Sequence, residues 1–143
     1  MEKIIQKTHV SLRIRIDKQS WQKLSESSKL EGRPLAERAR WLVEVMTLVV
    51  HRCPGFRLAS ELVNPDQLPA HELKYLKVAL LEEVYDILFH LAGDYGMKPA
   101  AFARILLVTG DEQKRRLVRK GSMVKKEALI KLILEHNQCS KVH

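Results

Sequence analysis

Cysteine is scarce in this sequence, since Cys53 and Cys139 are the only two among 143 residues. They lie far apart along the chain and lack the close spacing of metal-binding pairs. We therefore expect two ordinary thiols rather than a structural disulfide, in a reducing cytoplasmic compartment where disulfides are rare.

Long apolar runs are missing as well. The most apolar stretch, residues 41–50, is interrupted by Glu44 and is much shorter than the roughly 20 residues that cross a bilayer. The first ten residues, MEKIIQKTHV, lack the apolar segment of a secretory signal. These absences predict a protein without a membrane partner.

Common enzyme motifs are also absent: the sequence has no G-x-x-x-x-G-K-S/T loop, no G-x-S-x-G and no C-x-x-C. His71-Glu72 begins like a zinc-protease helix, but Tyr75 stands where the second histidine is needed. Glu82, Asp86 and His90 share a helix face, which suits a divalent metal but is more commonly the wet side of an amphipathic helix. We expect no catalytic residue, no metal and no cofactor.

The sequence does contain a clear strand pattern near its N-terminus. Apolar residues occupy alternate positions from Val10 to Ile16, which is typical of a half-buried strand. The polar positions between them are Ser11, Arg13 and Arg15. One face of this strand is therefore apolar and the other is cationic.

Two helices are predicted to follow this strand. Asp17 stands at an N-cap position with Ser20 three residues later, and the first helix extends to Gly32, which suits a C-terminal cap. Pro34 suits the first position of a second helix, whose apolar stripe continues to Val50.

A lone strand cannot satisfy its own backbone hydrogen bonds, so this strand requires a partner. The simplest partner is the same strand of a second copy, paired antiparallel about a twofold axis. Such a dimer would bury the apolar face against four helices and present the polar face outward. A two-stranded ribbon fits the major groove of B-DNA, where arginine bonds guanine and serine bonds several base edges.

The order of strand, helix and helix resembles the ribbon-helix-helix DNA-binding proteins of the MetJ and Arc class. The resemblance rests on the alternating strand that ends in Ile16-Asp17 and on Gly32-x-x-x-x-Glu37-x-x-Arg40 at the second helix. It covers roughly a third of the chain. It implies that the outward strand residues Ser11, Arg13 and Arg15 read DNA bases.

The same resemblance implies that the start of the second helix, at Arg33, Pro34 and Leu35, holds a DNA phosphate through backbone N–H groups. Pro34 and Ala36 stand where many members of the family carry serine or threonine. Because proline has no N–H group, the side chain of Arg33 is the alternative phosphate contact.

The remainder of the chain is predicted to be helical. Turn residues at Pro54-Gly55 and Asn64-Pro65-Asp66 indicate a linker over 53–68, between a DNA-binding and dimerisation domain at 1–52 and a second domain at 69–143. Leucine spacing predicts one helix of about twenty residues over 69–91. The expected fold is thus mainly α, with an N-terminal ribbon-helix-helix in an intertwined dimer followed by an all-helical C-terminal module.

Within that module, residues 99–108 are expected to form a short buried helix, or a strand. Asp111 is expected to cap a basic helix and Ser122 to start the last helix. An alternative treats the rear of the chain as a second strand-helix-helix unit, with the strand at 102–109 and helices at 111–120 and 122–137. An all-helical module that joins dimers into tetramers, or that binds a protein partner, is the preferred interpretation.

A basic cluster marks the rear half, where seven Lys and Arg residues lie between 114 and 126 without an acid among them. Lys114, Arg115 and Arg119 are candidates to follow DNA phosphates, although such a cluster is also typical of a solvated helix face. The net charge of +8 agrees with a polyanionic partner.

These observations predict a cytoplasmic, dimeric or higher-order protein that binds double-stranded DNA sequence-specifically. It would act as a transcriptional repressor or as a relaxosome-type accessory factor of plasmid conjugation, because plasmid proteins of both kinds join a ribbon-helix-helix head to a helical assembly domain. The main alternative is a structural protein that uses the ribbon only for homodimerisation and its rear helices for a protein partner. RNA binding is a third alternative.

Overall fold

The computed structural model describes residues 8–59 and 65–139. Within these residues the protein is mainly helical, with five α-helices and one small antiparallel sheet of two strands. The elements, in chain order, are β1 His9–Asp17, α1 Lys18–Glu31, α2 Leu35–Arg52, β2 Leu73–Leu81, α3 Glu82–Asp94, α4 Pro99–Leu117 and α5 Lys126–His136. Two short 3₁₀ turns, Pro65–Gln67 and Ala70–Glu72, precede β2.

The first strand and its following helix form as the sequence predicts. The even-numbered residues from Leu12 to Ile16 in β1 are buried and the odd-numbered ones between them are exposed. The Ser20 N–H donates a 3.0 Å hydrogen bond to Asp17 Oδ2, which caps α1. The helix ends at Gly32, whose φ of 66° is left-handed and favours glycine.

The predicted single helix over 69–91 is wrong, because the structure contains β2 followed by α3 in this region. The leucines at 73, 76 and 80 fit helical spacing, but Leu76, Val78 and Leu80 also alternate, and these three are buried in β2. Short apolar stretches satisfy both periods, so pairing with another strand decides between them. The expectation of an all-helical rear module is therefore also wrong.

The strand β1 pairs with β2 of the same chain and not with a second copy of itself. All nine residues of each strand are paired antiparallel, from His9 opposite Leu81 to Asp17 opposite Leu73, with Arg13 and Lys77 at the centre. The expectation of an intermolecular ribbon is thus corrected: the chain supplies its own second strand, and backbone pairing needs no partner chain.

The second half of this arrangement repeats the first at a constant offset of 64 residues. The elements β2, α3 and α4 each begin 64 residues after β1, α1 and α2. We call residues 9–52 the first unit and residues 73–117 the second unit. Gly32 and Gly96 are equivalent, and each has a φ of 66°. The N–H group of the next residue bonds a carbonyl five positions back in both units, Arg33 to Ser28 and Met97 to Ala92.

The two units are interlocked around a shared core. Helix α2 packs on β2, α4 packs on β1, and α2 and α4 pack against each other. Buried side chains from both strands and all five helices form one apolar cluster. The predicted division at 53–68 therefore separates segments that share a sheet and a core; residues 60–64 of that linker lie outside the described residues.

The C-terminal helices also differ from expectation. Helix α4 continues through Asp111, which is buried inside it instead of capping a new helix, and α5 begins at Lys126 instead of Ser122. Residues 102–109, placed in a strand by the repeat alternative, are helical. A repeat does exist, but its strand lies about thirty residues earlier, at β2.

Cys53 and Cys139 form a disulfide, which corrects the expectation of two separate thiols. The bond joins the end of α2 to the segment after α5, across 86 residues of sequence. It also removes the ground on which a reducing compartment was favoured. No helix among the described residues is both long and apolar enough to cross a membrane.

Candidate nucleic-acid interface

The outer face of the sheet brings together the three predicted base-contacting residues. Ser11, Arg13 and Arg15 are all exposed on β1. Their cross-strand neighbours on β2 are Ala79, Lys77 and Tyr75, respectively. Lys77 and Tyr75 are exposed and Ala79 is partly exposed, so six side chains from one chain form a single outward surface. We call this surface the ribbon face.

Two cations lie directly opposite each other at the centre of the ribbon face. Arg13 is paired with Lys77 in the strand register. Like charges in this relationship destabilise a sheet, so the pair does not improve the fold. The Arg13 guanidinium lies 4.1 Å from the centre of the Tyr75 ring, which holds it over the sheet by a cation–π contact.

An acidic residue occupies one end of the ribbon face. Asp66, in the turn before β2, forms a 2.8 Å ion pair with Arg15 Nη1, and both side chains are substantially exposed. They line a groove of about 370 Å³ between the ribbon and the start of α4, together with Arg13, Lys98 and Arg104. Burial lowers the pKa of the Arg104 guanidinium, Asp17 raises it, Arg15 lowers it and Asp66 raises it. Cations from three elements therefore converge on this groove.

The predicted phosphate-contacting residues at the start of α2 are arranged differently. The Arg33 side chain is only 11% exposed: it lies 3.7 Å from Glu31 and 3.9 Å from Glu37, and it stacks 4.8 Å from the Trp41 ring centre. Its guanidinium is thus engaged within the protein. Pro34 is the N-cap and Leu35 the first residue of α2, so the free N–H groups of the first turn begin at Leu35.

The second basic cluster does not behave as one surface. Lys114 is buried and bonds Glu31 and the Ser122 carbonyl at 2.8 and 2.9 Å, which corrects its assignment as a phosphate contact. Arg115 is half exposed and pairs with Asp111, and Arg119 is exposed. Both lie beyond the far end of α4 from the ribbon, roughly 24 Å from its start at 1.5 Å per residue. A phosphate contact by either remains a prediction.

Sequence reasoning missed half of the ribbon face and the cations beside it, namely Tyr75, Lys77, Ala79, Lys98 and Arg104. Their signal was present in two forms. The segment LKYLKVALL alternates over its second half, and Gly32, Ala39, Arg40 and Leu42 recur 64 residues later as Gly96, Ala103, Arg104 and Leu106.

The proposed metal face of α3 shows no ligand arrangement: His90 Nδ1 lies 2.7 Å from the Asp86 backbone carbonyl. Among the described residues, no three His, Cys, Asp or Glu side chains are grouped to hold a metal ion. Comparisons of the chain with protein-family models, curated proteins and solved structures found no match.

Proposed function

We propose that this chain binds double-stranded DNA sequence-specifically by placing its β1–β2 ribbon in the major groove. The observation that carries the proposal is the ribbon face: Arg13 directly opposite Lys77, with Arg15 beside them, on the exposed side of a two-stranded sheet. A ribbon of this width fits the major groove, and arginine is the most frequent partner of guanine there.

The charge arrangement supports a polyanionic ligand. The opposed cations cost sheet stability in the free protein, and DNA phosphates and base acceptors would remove that repulsion. The net charge of +8 favours rapid, salt-dependent association with nucleic acid. The proposal thus accounts for a feature that folding alone does not require.

The ribbon-helix-helix class is part of the proposal. Its support is the order strand, helix, helix in each unit, the antiparallel strand pair and the outward basic residues. The difference from the expected dimer is that two units occur in one chain. In this class the start of the second helix holds a phosphate, a position that α2 and α4 both provide beside the ribbon.

The cellular role that we propose is a transcriptional repressor or an accessory factor of a plasmid nucleoprotein complex. Both roles need site-specific duplex binding without catalysis, which the ribbon face would supply. The rival role, in which the ribbon serves only to join two chains, loses its basis because β1 is already paired with β2.

Fluorescence anisotropy with the full chain tests DNA binding, after fragments are selected from a random-sequence duplex library. The variant Arg13→Ala/Lys77→Ala should lose its preference for the selected duplex, and single base changes in that duplex should each cost the wild type about 1–3 kcal/mol. Lys131→Ala is the matched control, since Lys131 is an exposed cation on α5. It should keep the full preference.

Equal affinity of the wild type and the double variant for every duplex would refute the proposal. Folded RNA is the competitor that separates RNA binding from DNA binding. If the RNA displaces the selected duplex at comparable concentration, the ligand is not sequence-specific DNA. Because log affinity falls linearly with log salt for phosphate contacts, each variant is measured across a salt series.

A further inference from the structure

The ribbon face has two unlike ends, although the backbone around it is a repeat. At the 64-residue offset, Arg15 is equivalent to Ala79, and Tyr75 is equivalent to Ser11. Because the strands are antiparallel, Arg15 and Tyr75 lie together at one end, and Ser11 and Ala79 lie together at the other. We call these the arginine end and the alanine end.

A ribbon built from two identical strands would carry the same side chains at both ends, and it would read the same bases in both half-sites. This ribbon has a long cation and an aromatic ring at one end and two small side chains at the other. Arginine bonds guanine O6 and N7, whereas alanine contacts the thymine methyl group. The two ends therefore fit different base pairs.

The helices beside the ribbon differ in the same direction. Lys98 and Ala101, at the start of α4, line the groove at the arginine end. Their equivalents at the start of α2 are Pro34 and Glu37, and Glu37 is 51% exposed. A cation near a DNA phosphate strengthens binding and a carboxylate weakens it, so the arginine end has the stronger attraction for the DNA backbone.

The core shows that the two units are complementary instead of interchangeable. Arg38 of the first unit bonds Asp111 of the second at 2.8 Å, whereas the residue equivalent to Arg38 is Phe102, which packs with the Tyr95 ring at 5.0 Å between ring centres. Each unit therefore fits the other better than a copy of itself. One chain is a complete pair of units.

We propose, on the basis of the DNA binding inferred above, that a single chain recognises a non-palindromic duplex site in one fixed orientation. The arginine end contacts a guanine-containing half-site and its flanking phosphate. The alanine end contacts a half-site that lacks this guanine and accepts thymine. The second half-site that most dimeric ribbons obtain from a second chain is here read by different residues of the same chain.

Selection from a random-sequence duplex library with the full, disulfide-bonded chain tests this proposal. The expected result is an asymmetric motif bound by one chain, with the stoichiometry measured by sedimentation of the complex. Arg15→Ala should remove the guanine preference, a loss of roughly 5- to 150-fold against the mismatched duplex, in one half-site only. The reciprocal variant, Ala79→Arg, should add a guanine preference to the other half-site and make the motif more nearly palindromic.

Each outcome is decisive. A palindromic motif, or two chains on each site, would overturn the inference while the proposed DNA binding stands. Absence of any preferred duplex would overturn both. If Ala79→Arg alters the circular dichroism spectrum, Arg15→Ala alone decides, because Arg15 is an exposed residue whose replacement leaves the buried face of β1 intact.

Discussion

Met46 and Gly110 are equivalent residues of the two units, and they pack against each other where α2 crosses α4. A Cβ atom added to Gly110 would lie 2.8 Å from Met46 Cγ and 3.5 Å from Leu42 Cβ. In a symmetric dimer this position would place two identical side chains face to face. Here a long side chain fits against a residue without one, which is further evidence that the two units are adapted to each other.

Gly110→Ala should therefore destabilise the protein. Overpacking of a close helix crossing costs about 1–3 kcal/mol, and this exceeds the gain of about 0.5–1 kcal/mol from helix propensity. Urea unfolding followed by circular dichroism measures the change. Gly93→Ala is the matched control, because Gly93 is also helical and an added Cβ there meets nothing within 4 Å. It should leave the free energy of unfolding unchanged or raise it.

Met46→Ala in the Gly110→Ala background tests the contact itself. The effects of the two substitutions should not add, because the smaller side chain at 46 makes room for the new methyl group. Strict additivity of the two free energies of unfolding would show that the packing at this crossing is looser than described.

Arg38 is a second point at which the units depend on each other. It is 1% exposed and bonds Glu31 and Asp111, each at 2.8 Å. Arg38→Leu would leave two buried carboxylates without this partner, and we expect a loss of about 3–5 kcal/mol in the free energy of unfolding. Arg116→Leu, at an exposed position of α4, should change it by less than about 0.5 kcal/mol. A small effect of Arg38→Leu would mean that the network is not required for folding.

The disulfide between Cys53 and Cys139 should add to stability by restricting the unfolded chain. It closes a segment of 86 residues, for which the expected contribution is about 2–4 kcal/mol. A reducing agent should thus lower the denaturation midpoint of the wild type. The Cys53→Ser/Cys139→Ser variant is the control, since a reducing agent should not change its midpoint. Thiol titration under denaturing conditions should find no free thiol before reduction, and two free thiols would contradict the bond.

Asp66 should weaken DNA binding, because it pairs with Arg15 in the groove beside the ribbon. Asp66→Asn removes this competing anion and should raise affinity for the selected duplex about two- to fivefold, the range expected for an exposed ion pair. The gain should shrink at high salt. Glu26→Gln, an exposed acid on α1, is the control and should have little effect. Unchanged affinity of Asp66→Asn would place the DNA elsewhere.

The first unit could be predicted because its signals are local. Alternation in β1, the Asp17 cap and the glycine at 32 each act within a few residues, and the structure confirms all three. The second unit was missed because its strand has no capping side chain at Leu81 and its leucines also satisfy a helical period. The constant 64-residue offset, checked before any assignment of elements, was the signal that would have revealed β2.

The candidate site was predicted only on the strand that was recognised. Ser11, Arg13 and Arg15 were identified from alternation, and the structure exposes all three. Arg33 and Lys114 were taken for free surface cations, although they are engaged with Glu31 in the interior. A sequence shows that a cation is present, but burial depends on which acids the fold places beside it.

By itself, the sequence determined the local elements of the first unit and the alternation of apolar and cationic faces on β1, because both depend on neighbours close along the chain. Only the tertiary structure decided the partner of β1, the unlike ends of the ribbon and the burial of Lys114. Each of these depends on contacts between residues more than sixty positions apart, and such pairings follow from the joint packing of both units in one core, which no local pattern specifies.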